Sequence, residues 1–326
     1  MALEQHFANY IGVSCAIGVA NGTDAIEIAL KALEIGPGDE VITVSHTAVA
    51  TVAAIESTGA KAVLVDIEPE FYTLDVSQLE EVFTNRTKAI IAVHIYGQSA
   101  DLEFIDDFCK KKNIFLIEDV SQAHGAKFKG KHLGSIGKVG CFSCYPTKNL
   151  GAIGDAGLIT TDDINLDKRI RMIREYGWEN RISQIPGRNS RLDEIQAAIL
   201  KVKLKYLDLD NQRRRELALK FSKSLTSLPL KLPKLRPEGQ HVFHQFVVQV
   251  EHRKEFIDHL IKRGIHPGIH YPVPIHLQPA YNERISIASD MSITEKVAHK
   301  IISLPVYPGL TKKEINSIIS AISDFF

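Results

Sequence analysis

The chain has 326 residues, 44% hydrophobic and 24% charged, an ordinary globular composition with room for about two domains. Lysine plus arginine equals aspartate plus glutamate at 39 each, a balance that gives no support to nucleic acid or an acidic membrane surface as partner. There is no apolar run near the ~20 residues of a membrane span and no basic-then-apolar leader, so cytoplasm is the expected compartment.

From residue 12 onward, β-branched runs alternate with helical patterns. VSCAIGVA, VITVS (41–45), AVLVDI (62–67), AIIAVHIYG (89–97) and IFLIED (114–119) read as strands, with more around 139–145 and 156–161. Helices are expected over Thr23–Leu33, up to Gly59, near Ser77–Thr84 and over Asp101–Lys112. Near-continuous apolar strands separated by helices predict a mostly parallel sheet covered on both faces. A long helical region follows from about Arg191 to Leu225. Leu192, Ile195, Ile199, Val202, Tyr206 and Leu209 recur there at steps of three and four, predicting one apolar seam. Lys201, Lys203, Lys205 and Arg213–Arg215 read as its solvated face. Pro229, Pro233 and Pro237 mark a linker. Beyond it come a strand (Val242–Val250), a helix (Arg253–Arg263), a proline-rich extended stretch, and a last helix opened by Thr311 and Glu314 in capping-box spacing. The prediction is an α/β protein with a large domain over 1–228, including the long connecting helix, and a smaller α+β domain over 229–326.

The chemistry centres on VGCFSCYPTKNLGAIGDAG, where an apolar run delivers Lys148 into a turn followed by Gly151, Gly154 and Gly157. Burying an ammonium disfavours its charge and leaves an amine able to form a Schiff base with an aldehyde. Taken alone, a solvated loop lysine fits the same pattern. The glycines read as room for a bound group beside the backbone. Cys141 and Cys144 form a CxxC without a second pair; within a strand they read as core packing, and no metal site is expected. In GVANGTDAI, Gly22, Thr23 and Asp24 stand where a strand gives way to a helix. Free N–H groups and the helix dipole suit a phosphate there, although an ordinary capped helix start is the simpler reading of that turn by itself. Asp119 ends IFLIED at the carboxyl edge of the sheet, where it can hold a pyridinium nitrogen protonated, cap a helix or pair with a surface cation. Ser143, five residues before Lys148, offers a hydroxyl to a phosphate. A phosphate cradle, an acid for a ring nitrogen and a Schiff-base lysine together describe pyridoxal phosphate.

The segments NGTDAI, EDVSQAHGA, FSCYPTKNLGAIGDAG, NSRLDEIQAAIL, HYPVPIHLQPAY and LPVYPGLT, in this order, resemble the pyridoxal-phosphate sugar aminotransferases of the DegT/DnrJ/EryC1/StrS type across essentially the whole chain. The resemblance implies the type I aspartate-aminotransferase fold, in a homodimer whose subunits share active sites. It implies Lys148 as the Schiff-base lysine, Asp119 as partner of the pyridine nitrogen and Gln122 beside the ring and its 3-hydroxyl. Gly22, Thr23, Asp24 and Ser143 match the phosphate cradle, and Asn189 an asparagine reaching the phosphate from the neighbouring subunit. His276, in PIHLQ, falls near the sugar pocket, while His244 reads as a packed histidine.

Two features depart from the family. Its members usually carry about three dozen residues ahead of the segment matching ALEQHFANYIGV. Ala48 stands where an aromatic usually covers the cofactor ring, leaving His46 as a candidate cover or that face open. The implied substrates are a nucleotide-linked keto-deoxysugar, closer to the 3-keto than the 4-keto kind, and glutamate as amino donor. Sugar dehydratase-like members carry histidine for the lysine or extra cysteines for an iron–sulfur cluster, which Lys148 and four dispersed cysteines do not match. A non-catalytic regulatory relative is the remaining alternative.

Overall fold

The apolar runs of the first half pair into one sheet because each is buried on both faces. A computed structural model describes residues 2–288 and 290–326. Its main strands are β1 (Cys15–Val19), β2 (Glu40–Val44), β3 (Lys61–Val65), β4 (Thr87–Val93), β5 (Phe115–Asp119), β6 (Val139–Ser143) and β7 (Gly157–Thr161). They lie in the order β1-β7-β6-β5-β4-β2-β3, with the short strand Ser286–Ile287 added beside β3. β7 runs antiparallel to both β1 and β6, and the other pairings are parallel. This is the mostly parallel α/β sheet expected from the sequence, and the carboxyl ends of β1, β2, β4, β5 and β6 meet along one edge.

Helices cover the sheet, among them Gly22–Ala32, Val49–Ser57 and Leu102–Lys112. Helix Ala2–Ile11 buries Leu3, Phe7, Ala8 and Ile11, and the Phe7 ring meets Phe142 edge-on at 4.9 Å. β5 is pinned from within by Glu118, fully buried, whose carboxylate accepts from the N–H groups of Gly134, Ile136 and Gly137. Burial pushes that carboxyl up, but His94 and these N–H groups outweigh it and hold it below the usual range.

The long helical region is two helices, Glu194–Leu204 and Leu207–Leu225. Lys205 and Tyr206 break it, their N–H groups donating to Val202 O and Lys203 O in a tightened turn. The expected seam also faces the wrong way. Leu200, Leu204 and Leu207 supply the buried side, while Ile195, Val202, Tyr206 and Leu209 are 56–68% exposed. The basic run is mixed as well: Arg214 is buried and donates to Phe243 O and Val306 O.

A second core gathers Leu217, Ala218, Phe221 and Leu225 with the strand pair Phe246–Gln249 and Ile301–Leu304 and the helices Arg253–Lys262 and Lys312–Ser323. The capping box of Thr311 and Glu314 closes both reciprocal bonds. Val242, Val247, Ile275 and Val297 pack into the first core instead, so the two cores interleave across the 228/229 division read from the linker.

Candidate active site

A cavity of about 600 Å³ opens at the carboxyl edge of the sheet. The crevice outside strand carboxyl ends is where open α/β sheets bind ligands, because loops there converge and helix N-termini point inward. Gly22, Thr23, Asp24, Asp119, Gln122, Ser143 and Lys148, far apart in sequence, all line it.

At one end, β1 gives way to helix Gly22–Ala32. Asn21 caps it, its side-chain oxygen accepting from Asp24 N at 2.8 Å, and the first-turn N–H groups of Gly22 and Thr23 have no acceptor inside the helix. A Cβ on Gly22 would sit 2.5 Å from Ser143 Cβ, so only glycine lets the helix start approach Ser143 this closely. Asp24 is buried, with Arg188 Nη2 3.3 Å from its carboxylate.

At the other end, Asp119 terminates β5 with its carboxylate fixed from two sides. Thr51 Oγ1 donates to Oδ2 at 2.9 Å and Ser121 N to Oδ1 at 3.1 Å. Thr47 extends this to a chain of hydroxyls, 2.9 Å from Thr51 Oγ1. Gln122 accepts from Tyr96 N at 2.7 Å and donates to Tyr271 Oη at 2.9 Å. Burial, with Asp119 adding to it, pushes the Tyr271 phenol up to about 12.

Between these ends lies Lys148. Its backbone N–H closes a turn onto Tyr145 O at 2.9 Å, and its half-buried amine has no hydrogen-bond or ion-pair partner among the described residues. Burial pushes its ammonium below the ordinary lysine value, with Asp119 and Cys144 opposing. The glycines after it serve the backbone and not a bound group. A Cβ on Gly151 would strike Pro146 O and one on Gly157 would strike Asn21 O, at 2.5 and 2.3 Å, while Gly154 faces Gln196. Cys141 and Cys144 are free and buried, and among the described residues no cluster suited to a metal occurs.

Three expected residues lie elsewhere. His46 does not cover the cavity. Its Nε2 is 2.6 Å from Tyr96 Oη and its ring packs edge-on against Tyr96, so it is held behind the wall, where burial lowers it to about 4. Ala48 lines the cavity with only a methyl group. His276 is also outside the lining, buried between Ser45 Oγ at 2.7 Å and Glu295 Oε1 at 3.0 Å; both ring nitrogens are occupied, which leaves none for a sugar. Asn189 is exposed and away from this cavity within the single chain. Conversely, Thr47, Thr51, His94, His270 and Tyr271 were not singled out for the site, though all but Thr51 line it, and His244, read as a packed histidine, lines it as well. The i, i+4 spacing of Thr47 and Thr51 at a helix start was a legible signal.

The residues fit pyridoxal phosphate on three independent observations: an unpartnered half-buried amine, a carboxylate fixed by donors at a strand end, and a helix start that a Cβ would push off Ser143. Comparison with known proteins agrees. Residues 1–323 match the DegT/DnrJ/EryC1/StrS aminotransferase family. The chain is 44% identical over 323 residues to dTDP-3-amino-3,6-dideoxy-alpha-D-galactopyranose transaminase of Aneurinibacillus thermoaerophilus, covering 99% of this chain and 88% of that one. It is 41% identical over 322 residues to UDP-N-acetyl-3-dehydro-alpha-D-glucosamine 3-aminotransferase of Acidithiobacillus ferrooxidans, with 98% and 87% covered. The crystal structure of Streptomyces venezuelae DesV in complex with a ketimine intermediate superposes with a TM-score of 0.97 at 40% identity, over 99% of this chain and 88% of that one. The chain therefore belongs to the DegT/DnrJ/EryC1/StrS aminotransferase family, as a sugar aminotransferase with pyridoxal phosphate as its cofactor.

Proposed function

We propose that this enzyme moves an amino group from glutamate to the C-3 carbonyl of a nucleotide-linked keto-deoxysugar, as a cytoplasmic homodimer. The observation that carries the reading is Lys148, an amine without a partner in a cavity whose ends suit a phosphate and a ring nitrogen. The two relatives named above, one for a dTDP-linked 3-amino sugar and one for a UDP-linked 3-dehydro sugar, support C-3 and leave the base open. The exposed Ile195, Val202, Tyr206 and Leu209 support a second copy against these helices, and Asn189 is exposed to reach it.

Lys148 would hold the cofactor aldehyde, Asp119 the ring nitrogen, Gln122 the ring hydroxyl, and Gly22, Thr23, Asp24 and Ser143 the phosphate. Bound there, pyridoxal phosphate supplies an aldehyde for amines to add to and a ring that draws electrons from the adjoining carbon. With the amino donor bound, Lys148 Nζ would take up and hold the proton that leaves the donor's α-carbon, and the lowered pKa favours its proton-accepting form. With the keto-sugar in place, the protonated Nζ would give that proton to the sugar's former carbonyl carbon. Thr51 and Ser121 keep the Asp119 oxygens aimed, and Tyr271 steadies the Gln122 amide.

The test is a product assay with glutamate and a panel of nucleotide-linked 3-keto and 4-keto sugars. Amination of a 3-keto member is expected. Amination confined to 4-keto members overturns the position, and cofactor conversion by glutamate with no sugar aminated overturns the substrate class.

A further inference from the structure

His244 belongs to the segment that returns from the linker to the cavity, and its 7% exposed ring lines the cavity wall. Its protonation pattern follows from a chain of side-chain amides behind it. Asn211 Nδ2 donates to His124 O at 2.8 Å, which turns Asn211 Oδ1 toward Asn149. Asn149 Nδ2 donates to that oxygen at 2.8 Å and to Val242 O at 3.3 Å. Backbone carbonyls only accept, so neither amide can be reversed without setting oxygen against oxygen. Asn149 Oδ1 is thereby left facing His244 Nδ1 at 3.1 Å, and Nδ1 must carry the proton. Nε2 is then a bare acceptor, and it has no partner among the described residues. Burial, with Lys148 and Arg214 adding to it, pushes the ring well below the usual histidine value and keeps it neutral.

An acceptor-only nitrogen discriminates between the two substrates. It repels the carboxylates of an amino acid, which themselves only accept, and since the donor's amino group is the one committed to the cofactor aldehyde, the donating partner left for it is a hydroxyl of the sugar. Resting on the sugar transamination proposed above, we infer that His244 Nε2 accepts a hydrogen bond from a hydroxyl of the keto-sugar, and that the Asn149–Asn211 chain sets the tautomer which makes this possible. His244 is then a specificity-determining residue for the sugar half of the reaction.

The test follows single turnovers of the cofactor-loaded enzyme separately with glutamate and with the keto-sugar, in His244→Phe and His244→Gln. Relative to the glutamate half-reaction, the sugar half-reaction of His244→Phe is expected to fall by about 10- to 100-fold, the loss of one buried hydroxyl contact. His244→Gln, whose amide oxygen can accept, recovers part of the loss. A sugar analogue lacking the paired hydroxyl shows no further loss in His244→Phe. An equal fall in both half-reactions, or none in the sugar half, overturns the inference. Should His244→Phe not fold, ¹⁵N spectra of histidine-labelled wild type, assigned with His244→Gln, decide the tautomer: a protonated Nδ1 and bare Nε2 are expected, and the opposite tautomer overturns the inference. If the wild type accepts no amino group from glutamate, transamination itself fails, and the tautomer measurement then decides the state of His244 independently.

Discussion

Thr51 Oγ1 donates to Asp119 Oδ2 across 2.9 Å, joining the first turn of a helix to the end of the strand whose carboxylate is proposed to hold the ring nitrogen. Thr51 is fully buried, so Thr51→Val removes a donor from Asp119 and strands Thr47 without replacing either partner. A loss of about 1–3 kcal/mol in stability is expected from denaturant unfolding. Turnover should fall by roughly 10-fold as Asp119 loses its aim, and Thr51→Ser should restore most of both. A Thr51→Val enzyme with wild-type turnover would show that Ser121 N alone positions the carboxylate.

Gly22 offers a sharper steric test, since a methyl there meets Ser143 Cβ at 2.5 Å. Gly22→Ala must spread the helix start from Ser143 and open the proposed phosphate cradle. The cofactor dissociation constant, read by absorbance titration, should rise by about 10- to 100-fold. Stability of the cofactor-free protein should change far less. Unchanged affinity would place the phosphate elsewhere.

Lys148 gives two outcomes of opposite sign. Lys148→Ala should abolish the visible absorbance of the loaded enzyme and lower turnover by about 10³-fold or more. The cofactor-free protein behaves differently. Burial sets the folded-state value of Lys148 below the ordinary 10.5, so between those two values the unfolded chain binds more protons and stability climbs with pH. Lys148→Met should therefore raise the melting temperature of the cofactor-free protein at neutral pH. The advantage should shrink as pH rises toward the ordinary lysine value. An advantage that grew with pH would contradict the burial of this amine.

What was legible in the sequence was legible for a physical reason. Strands buried on both faces announce themselves as apolar runs, and Asp119, Ser143 and Lys148 sit where those runs stop. His46 and His276 were misplaced because their partners are remote: Tyr96 lies 50 residues from His46, and Ser45 lies 231 residues from His276. Periodicity told that the helices after Arg191 have an apolar face, but these helices have two. Leu200, Leu204 and Leu207 face the core and Ile195, Val202, Tyr206 and Leu209 do not, and spacing alone cannot tell a core from a surface kept for another copy.

That outward seam makes the last prediction. If a second copy covers it, a carboxylate at Val202 or Tyr206 must be desolvated against apolar side chains, at a cost of several kcal/mol. Val202→Asp and Tyr206→Glu should each leave the chain folded, since both positions are exposed in the single chain. Sedimentation velocity should then show monomer where the wild type shows dimer. Turnover should fall with dissociation and recover at high protein concentration, because the role proposed for Asn189 in a neighbouring cavity needs a paired subunit. A variant that stays dimeric with full activity would move the interface off these helices, and a monomeric variant with full activity would make each cavity complete by itself.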